Sequence, residues 1–274
     1  MKTAMMTYTM ARGPWGERHD VRELCEFTRD LGLDGIDWVT TYGHDPAEVR
    51  KVTDDLGLRN VCHTFYADIH VPDAAKRAEA PDQVRRGLDA AKALGAETVM
   101  IVVPWVKDVP RDETRRRALE GLAGAVELAS AAGITVTIEP FPGALSPFVT
   151  SGDLIEAVRA VPGLKLTYDN GNVAMGGEDP AEGFRRCCEH VVHAHVKDWV
   201  LSDDGRPGLD GRRYKPALVG EGIVDPRPWV AAMAEAGYDG YIDFEYEGST
   251  YDPRDAVARG VRLMTELIRE AETH

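Results

Sequence analysis

Cysteine is scarce in this 274-residue chain: Cys25, Cys62, Cys187 and Cys188 occur, with no CxxC pair and no zinc-ribbon spacing. That excludes a disulfide scaffold and a thiolate zinc site, and the four read as reduced thiols. Positive charge is short as well. The 32 Lys and Arg face 46 Asp and Glu, a formal net charge of −14. Basic residues that neutralise phosphates supply most nucleic-acid affinity, so no nucleic-acid partner is expected. Nowhere do 18 consecutive apolar residues occur, and the opening MKTAMMTYTMARGPWGERHD has no apolar h-region. Neither a membrane span nor a secretory signal is expected, and the cytoplasm is the default location. A Gly-rich phosphate fingerprint after the first strand is missing too, MTYTMARGPWG standing where a dinucleotide fold would carry it.

What is present is an ordinary globular composition, 43% hydrophobic and 28% charged. A chain of this length buries roughly three-quarters of its unfolded surface, enough for a full core. One pattern recurs along it: an amphipathic helix, a Gly near its end, then a short β-rich run. The runs sit in LGLDGIDW (31–38), LGLRNVCHT (56–64), LGAETVMIVV (94–103), AGITVTIE (132–139), PGLKLTYD (162–169) and AGYDGYIDFE (236–245). Gly supplies the left-handed helix cap, and the unbroken apolar runs suit strands buried on both faces of a parallel sheet. Adding KTAMMTY and HVVHAHV (190–196) gives eight strands. Helical patterns fall at about 19–31, 46–56, 81–94, 111–132, 151–160, 179–188, 226–236 and 253–270. Eight of each predicts a single (β/α)8 barrel over residues 1–274, in preference to a doubly wound sheet. The longest irregular piece is expected at 199–222.

Barrel sites are built at the carboxyl ends of strands. There the sequence places Glu139, Asp169, His195 and Glu245, on four consecutive strands. Three carboxylates and an imidazole suit a hard or borderline divalent ion with open positions, Mn2+ first, with Mg2+, Co2+ or Zn2+ as alternatives. His193 shares a face with His195 but lies deeper and reads as a core histidine; Glu247 competes with Glu245 from one step further into the loop. His63, Lys197 and Trp105 are candidates for substrate contact, and Trp15 and Trp38 also fall near the expected rim. Arg206, Arg212, Arg213 and Lys215 cluster in the long loop, where they could hold an anion or close as a lid.

With IEP, YDNGN, HAHVKD and DFEYEG on eight βα units, the chain resembles the xylose isomerase-like superfamily of TIM barrels, the sugar phosphate isomerase and epimerase group. The resemblance implies metal ligation by Glu139, Asp169, His195 and Glu245, with Glu139 and Glu245 acting as acid and base on opposite faces of the substrate. Ketose 3-epimerases of this group carry a Glu, a His and an Arg where this chain has Leu145, Asn172 and Leu201. Asn172 is therefore a further substrate-binding candidate, and a known type of free-ketose epimerase is not implied. The HVKD segment, with Lys197 and Asp198, is similar to the inosose dehydratases of the superfamily. The expected function is a metal-dependent isomerase or epimerase of a small sugar or sugar phosphate. The alternative is a lyase on an inosose or keto-sugar, and an abasic-site endonuclease stands further off. The expected partner is a carbohydrate, and a homodimer or homotetramer is expected as the assembly.

Overall fold

The computed structural model describes residues 1–273. In chain order the elements are β1 (Lys2–Met6), α1 (Thr7–Ala11), α2 (Trp15–Arg18), α3 (Val21–Asp30), β2 (Gly35–Val39), α4 (Pro46–Asp55), β3 (Arg59–Tyr66) and α5 (Ala74–Leu94). Then come β4 (Thr98–Val102), α6 (Arg111–Ala132), β5 (Thr135–Ile138), α7 (Ser151–Ala160), β6 (Lys165–Asp169), α8 (Asn170–Ala174) and α9 (Pro180–Cys187). The chain finishes with β7 (Val191–Val196), β8 (Asp198–Pro207), β9 (Arg213–Ala217), α10 (Arg227–Glu235), β10 (Tyr241–Phe244) and α11 (Pro253–Glu272). Eight parallel strands close in the order β1-β10-β7-β6-β5-β4-β3-β2, so the fold is a (β/α)8 barrel.

Local chemistry sets the helix boundaries. Asp20, Asp45, Asp73, Asp179 and Asp252 each accept a backbone N–H from the first turn of the helix that follows. Thr150 and Asp153 form a reciprocal capping box on α7. Gly95 and Gly133 end α5 and α6 at φ of 76° and 70°, a conformation that favours a residue without Cβ.

Three departures from the sequence pattern concern boundaries. Helix α5 begins at Ala74 instead of 81, because Asp73 caps it through the amides of Ala75 and Lys76 and the helix carries Pro81 inside it. The first strand stops at Met6, and its continuation turns into α1, where Thr7 Oγ1 accepts a hydrogen bond from Val39 N. Most consequential, the piece expected to be irregular at 199–222 contains the β8–β9 antiparallel hairpin. Its inward residues Trp199 and Tyr214 pack on Met175 and Val224 as a small core of their own. Both ends of this excursion are held by Asp198, whose carboxylate accepts from the amides of Trp199, Gly220, Gly222 and Val224 at 2.7–3.0 Å.

The barrel interior is divided. From β1 to β4 it is lined by Ala4, Met6, Val39, Val61, Cys62, Met100 and Val102. Toward the other strands it carries Thr137 hydrogen-bonded to Thr167, then His193, His195 and Asp243. The main apolar core lies outside, between strands and helices, and takes the alternate residues such as Ile36, Trp38, Phe65, Ile138, Tyr168 and Phe244. Among the described residues no helix is long and apolar enough to cross a membrane.

Candidate active site

Strand alternation delivers the site. Asp169 on β6 pairs in register with His195 on β7, and Asp243 on β10 pairs with His195 from the other side, so Glu245 emerges one step above. Glu139 leaves the end of β5 in the same way. The four residues named at the strand ends do converge: Glu139, Asp169, His195 and Glu245 each offer one ligand atom within 4.8 Å of all the others, and all four are buried. His195 Nδ1 lies 3.3 Å from Glu139 Oε2 and 3.7 Å from Glu245 Oε2.

This donor set fits a divalent ion. Asp169 Oδ2 and Glu245 Oε2 are buried without a hydrogen-bond partner, an arrangement that is costly unless a cation faces them. Burial pushes the Asp169 carboxyl up to about 6 and that of Glu245 up to about 8, with Lys197 opposing in both cases. A second cation is built into the chain. Lys197 Nζ sits 2.9 Å from Glu245 Oε1, 2.7 Å from Glu247 Oε1 and 3.5 Å from Asp169 Oδ2. Burial disfavours its charge, but Glu245, Glu247 and Asp169 overcome that and hold the amine well above its ordinary value. Its partners are these glutamates and not the adjacent Asp198, which is occupied with the hairpin.

The other expected residues divide. Asn172 is buried beside the site: its backbone N–H caps onto Asp169 Oδ1 at 2.7 Å, and both polar atoms of its side chain are unpartnered. The structure places His63 elsewhere. On β3 the inward positions are Cys62 and Thr64, so His63 points outward, stacks on Phe65 and bonds the Trp38 carbonyl at 3.0 Å. Burial lowers its pKa, as for a packed neutral histidine. Trp15 and Trp38 are buried in the helix–barrel core, whereas Trp105 is 44% exposed beside Tyr66, His70 and Lys107 in a shallow surface pocket. Leu145 and Leu201 are both more than half exposed.

The basic cluster is also sorted by the hairpin. Arg212 bonds Asp210, and Lys215 bonds Asp204, both within the hairpin and its turn. Arg206 alone of the four reaches the site, its Nη2 being 3.6 Å from Glu247 Oε2 and its guanidinium lying over the Trp199 ring. Arg12, at the C-terminal end of α1, also reaches this residue and donates to the Glu247 carbonyl at 2.7 Å.

A family profile described as xylose isomerase-like TIM barrel matches residues 25–267. The chain belongs to that family. Among curated proteins it is 27% identical over 189 residues to an L-ribulose-5-phosphate 3-epimerase, UlaE, of Escherichia coli, covering 68% of this chain and 63% of the relative. It thus spans less than two thirds of that relative's length. Among solved structures, a probable 3-DHS dehydratase, AsbF, from Bacillus anthracis superposes with a TM-score of 0.78 at 16% identity, covering 97% of this chain and 99% of the other. IOLI protein with a zinc atom superposes with a TM-score of 0.82 at 14% identity, covering 99% of each chain. At those identities the structures share the fold.

Several members of the site were not read from the sequence. Asn170 accepts the Lys197 amide through Oδ1 at 2.9 Å. Asp37 and Asp243 are fully buried below His195, where they meet His193. Their signal was a carboxylate inside an otherwise apolar strand, in GIDWV and YIDF, since a buried charge requires a partner.

Proposed function

We propose that this chain is a divalent-metal-dependent isomerase or epimerase of a small sugar or sugar phosphate, with Glu139 and Glu245 exchanging the substrate proton. The observation that carries the reading is the convergence of four buried donors at one barrel mouth, two of them with a carboxyl oxygen that lacks a hydrogen bond. Glu139, Asp169, His195 and Glu245 would hold the ion, Mn2+ being the first choice. When bound, such an ion polarises a substrate carbonyl and stabilises the negative charge left on its oxygen by proton removal.

The chain's own residues do the rest. Glu139 and Glu245 both lie beside His195 Nδ1, at 3.3 and 3.7 Å, so the two carboxylates are close enough to share proton transfer at one substrate carbon. Asn172, buried with both amide atoms unpartnered, would bond a sugar hydroxyl. Burial of the whole set, Glu139 at 7% and Glu245 at 4% exposure, keeps bulk water from quenching the carbanion. Arg206 and Arg12 supply positive charge at the mouth, which suits a phosphate or carboxylate on the substrate's far end. The relative acting on L-ribulose 5-phosphate supports a phosphorylated ketose as substrate.

A second reading, loss of water from a keto-sugar or inosose, is favoured by Lys197. Its ammonium, 2.9 Å from Glu245, could protonate a departing hydroxyl, and a dehydratase shares the fold. One experiment separates the two. Protein with Mn2+ in D2O is offered ketoses, their phosphates, inososes and keto-sugars, with a chelated control, and label and product are read by NMR. Metal-dependent deuterium beside a carbonyl, with an epimer or isomer formed, supports the first reading; an unsaturated product supports the second. No exchange with any substrate sinks both.

A further inference from the structure

We propose that Asp37 is a positioning residue: its carboxylate holds the Nε2–H of His195 so that Nδ1, unprotonated, faces the ion shared by Glu139, Asp169 and Glu245. The inference rests on the metal reading above. The two nitrogens of His195 face different groups. Nδ1 looks toward Glu139 and Glu245, whereas Nε2 is buried without a hydrogen-bond partner and has Asp37 Oδ2 at 3.5 Å, in a side chain that is 0% exposed. A buried ring N–H needs an acceptor, and ligation at one nitrogen leaves the proton on the other. Asp37 Oδ2 is the acceptor within reach.

The carboxylate is itself held in place. Thr64 Oγ1 lies 3.0 Å from both of its oxygens, and His193 Nε2 lies 3.7 Å from Oδ2 while standing 3.0 Å from Asp243 Oδ2. Fixed from β3 and β7, Asp37 has little freedom to move when the ring does.

Asp37, His193, His195 and Asp243 also form a cluster that resembles a metal site in its own right. The hydrogen bonds argue against that use. Thr64 already occupies Asp37, His193 already bonds Asp243, and His195 would have to surrender its last ring proton to bridge two ions. The cluster is better described as the support of the ligand above it.

Two measurements test this. With 15N-labelled histidine and Zn2+, a diamagnetic ion, NMR should show His195 protonated at Nε2 and shifted by ligation at Nδ1; the opposite tautomer overturns the proposal. Titration calorimetry with Mn2+ should then give one ion per chain in the wild type, Asp37→Asn and Asp37→Leu. Affinity should fall about 10–100-fold in the Leu variant, the usual cost of losing such a partner. Asn, whose amide oxygen still accepts, should recover most of it. Equal affinities in folded variants overturn the role of Asp37 alone. A second Mn2+ in the wild type, lost in both variants, overturns it by making Asp37 a ligand. Should Asp37→Leu fail to fold, Asp37→Asn and the tautomer decide. A wild type that takes up no Mn2+ removes the metal reading and this one with it.

Discussion

Lys197 and Glu245 form a buried ion pair at 2.9 Å on the floor of the site, and the same ammonium serves Glu247 at 2.7 Å. With Lys197 at 2% exposure, solvent does little to screen it. Removing one partner of a buried pair costs about 3–5 kcal/mol, because the other charge is stranded. Lys197→Met should therefore lower the unfolding free energy by about that amount in EDTA, and Mn2+ should restore part of the loss by facing Glu245 and Asp169. Urea unfolding with and without Mn2+ measures both. Equal stability of variant and wild type in EDTA would contradict the pairing.

Glu139→Gln and Glu245→Gln should each cut turnover by about 10²–10⁴-fold, the usual worth of a positioned acid or base. Glu139→Gln should melt close to the wild type, whereas Glu245→Gln should melt lower, because it removes a buried partner of the Lys197 ammonium. Wild-type rates in either variant would remove that residue from the chemistry.

At the mouth, the hairpin makes an uneven prediction about its arginines. Arg206→Ala should raise KM for a sugar phosphate about tenfold, the worth of one charged hydrogen bond, and should leave an unphosphorylated analogue unaffected. Arg212→Ala should change neither, because Arg212 is paired with Asp210. Steady-state kinetics on the two substrates decide it, and identical behaviour of the two variants would reject Arg206 as the anion contact.

His63 links pH to stability. Burial, only partly opposed by the bond to the Trp38 carbonyl, lowers its pKa below the ordinary 6.5. The unfolded chain therefore binds this proton more readily than the fold does. The contribution is complete above pH 6.5 and is lost as pH falls toward the folded value. His70, lowered by burial too, acts in the same direction. His193, raised to about 9, acts oppositely and at higher pH. Urea midpoints at pH 7.5 and 5.5 should differ less in His63→Gln than in the wild type; an unchanged difference would place the acid sensitivity elsewhere.

The legible parts of this molecule were those governed by period and position. Helix–Gly–strand repeats announced the barrel, and a polar residue at the end of a strand announced a member of the converging cluster, because both follow from local geometry. What lay hidden depended on long-range pairing. His63 shared the look of a strand-end residue, yet alternation on β3 turned it outward and brought Thr64 inward. Arg206 was indistinguishable from Arg212 and Arg213 until the hairpin register aimed it at Glu247. Asp37 lies 158 positions before His195, and no spacing rule connects them. The hairpin was concealed by its composition, since Gly, Asp and Arg around its turn read as loop.

The excursion after β7 begins and returns at one carboxylate, that of Asp198. A segment whose two ends share one clasp behaves as a cassette. Its length can change at the slow logarithmic cost of loop closure while the barrel below is undisturbed. On the proposed reading, the residues that would hold the ion and the hairpin residue that would meet the far end of a substrate come from separate segments, and grafting another hairpin between the strands that Asp198 joins offers a route to new substrates with the same chemistry.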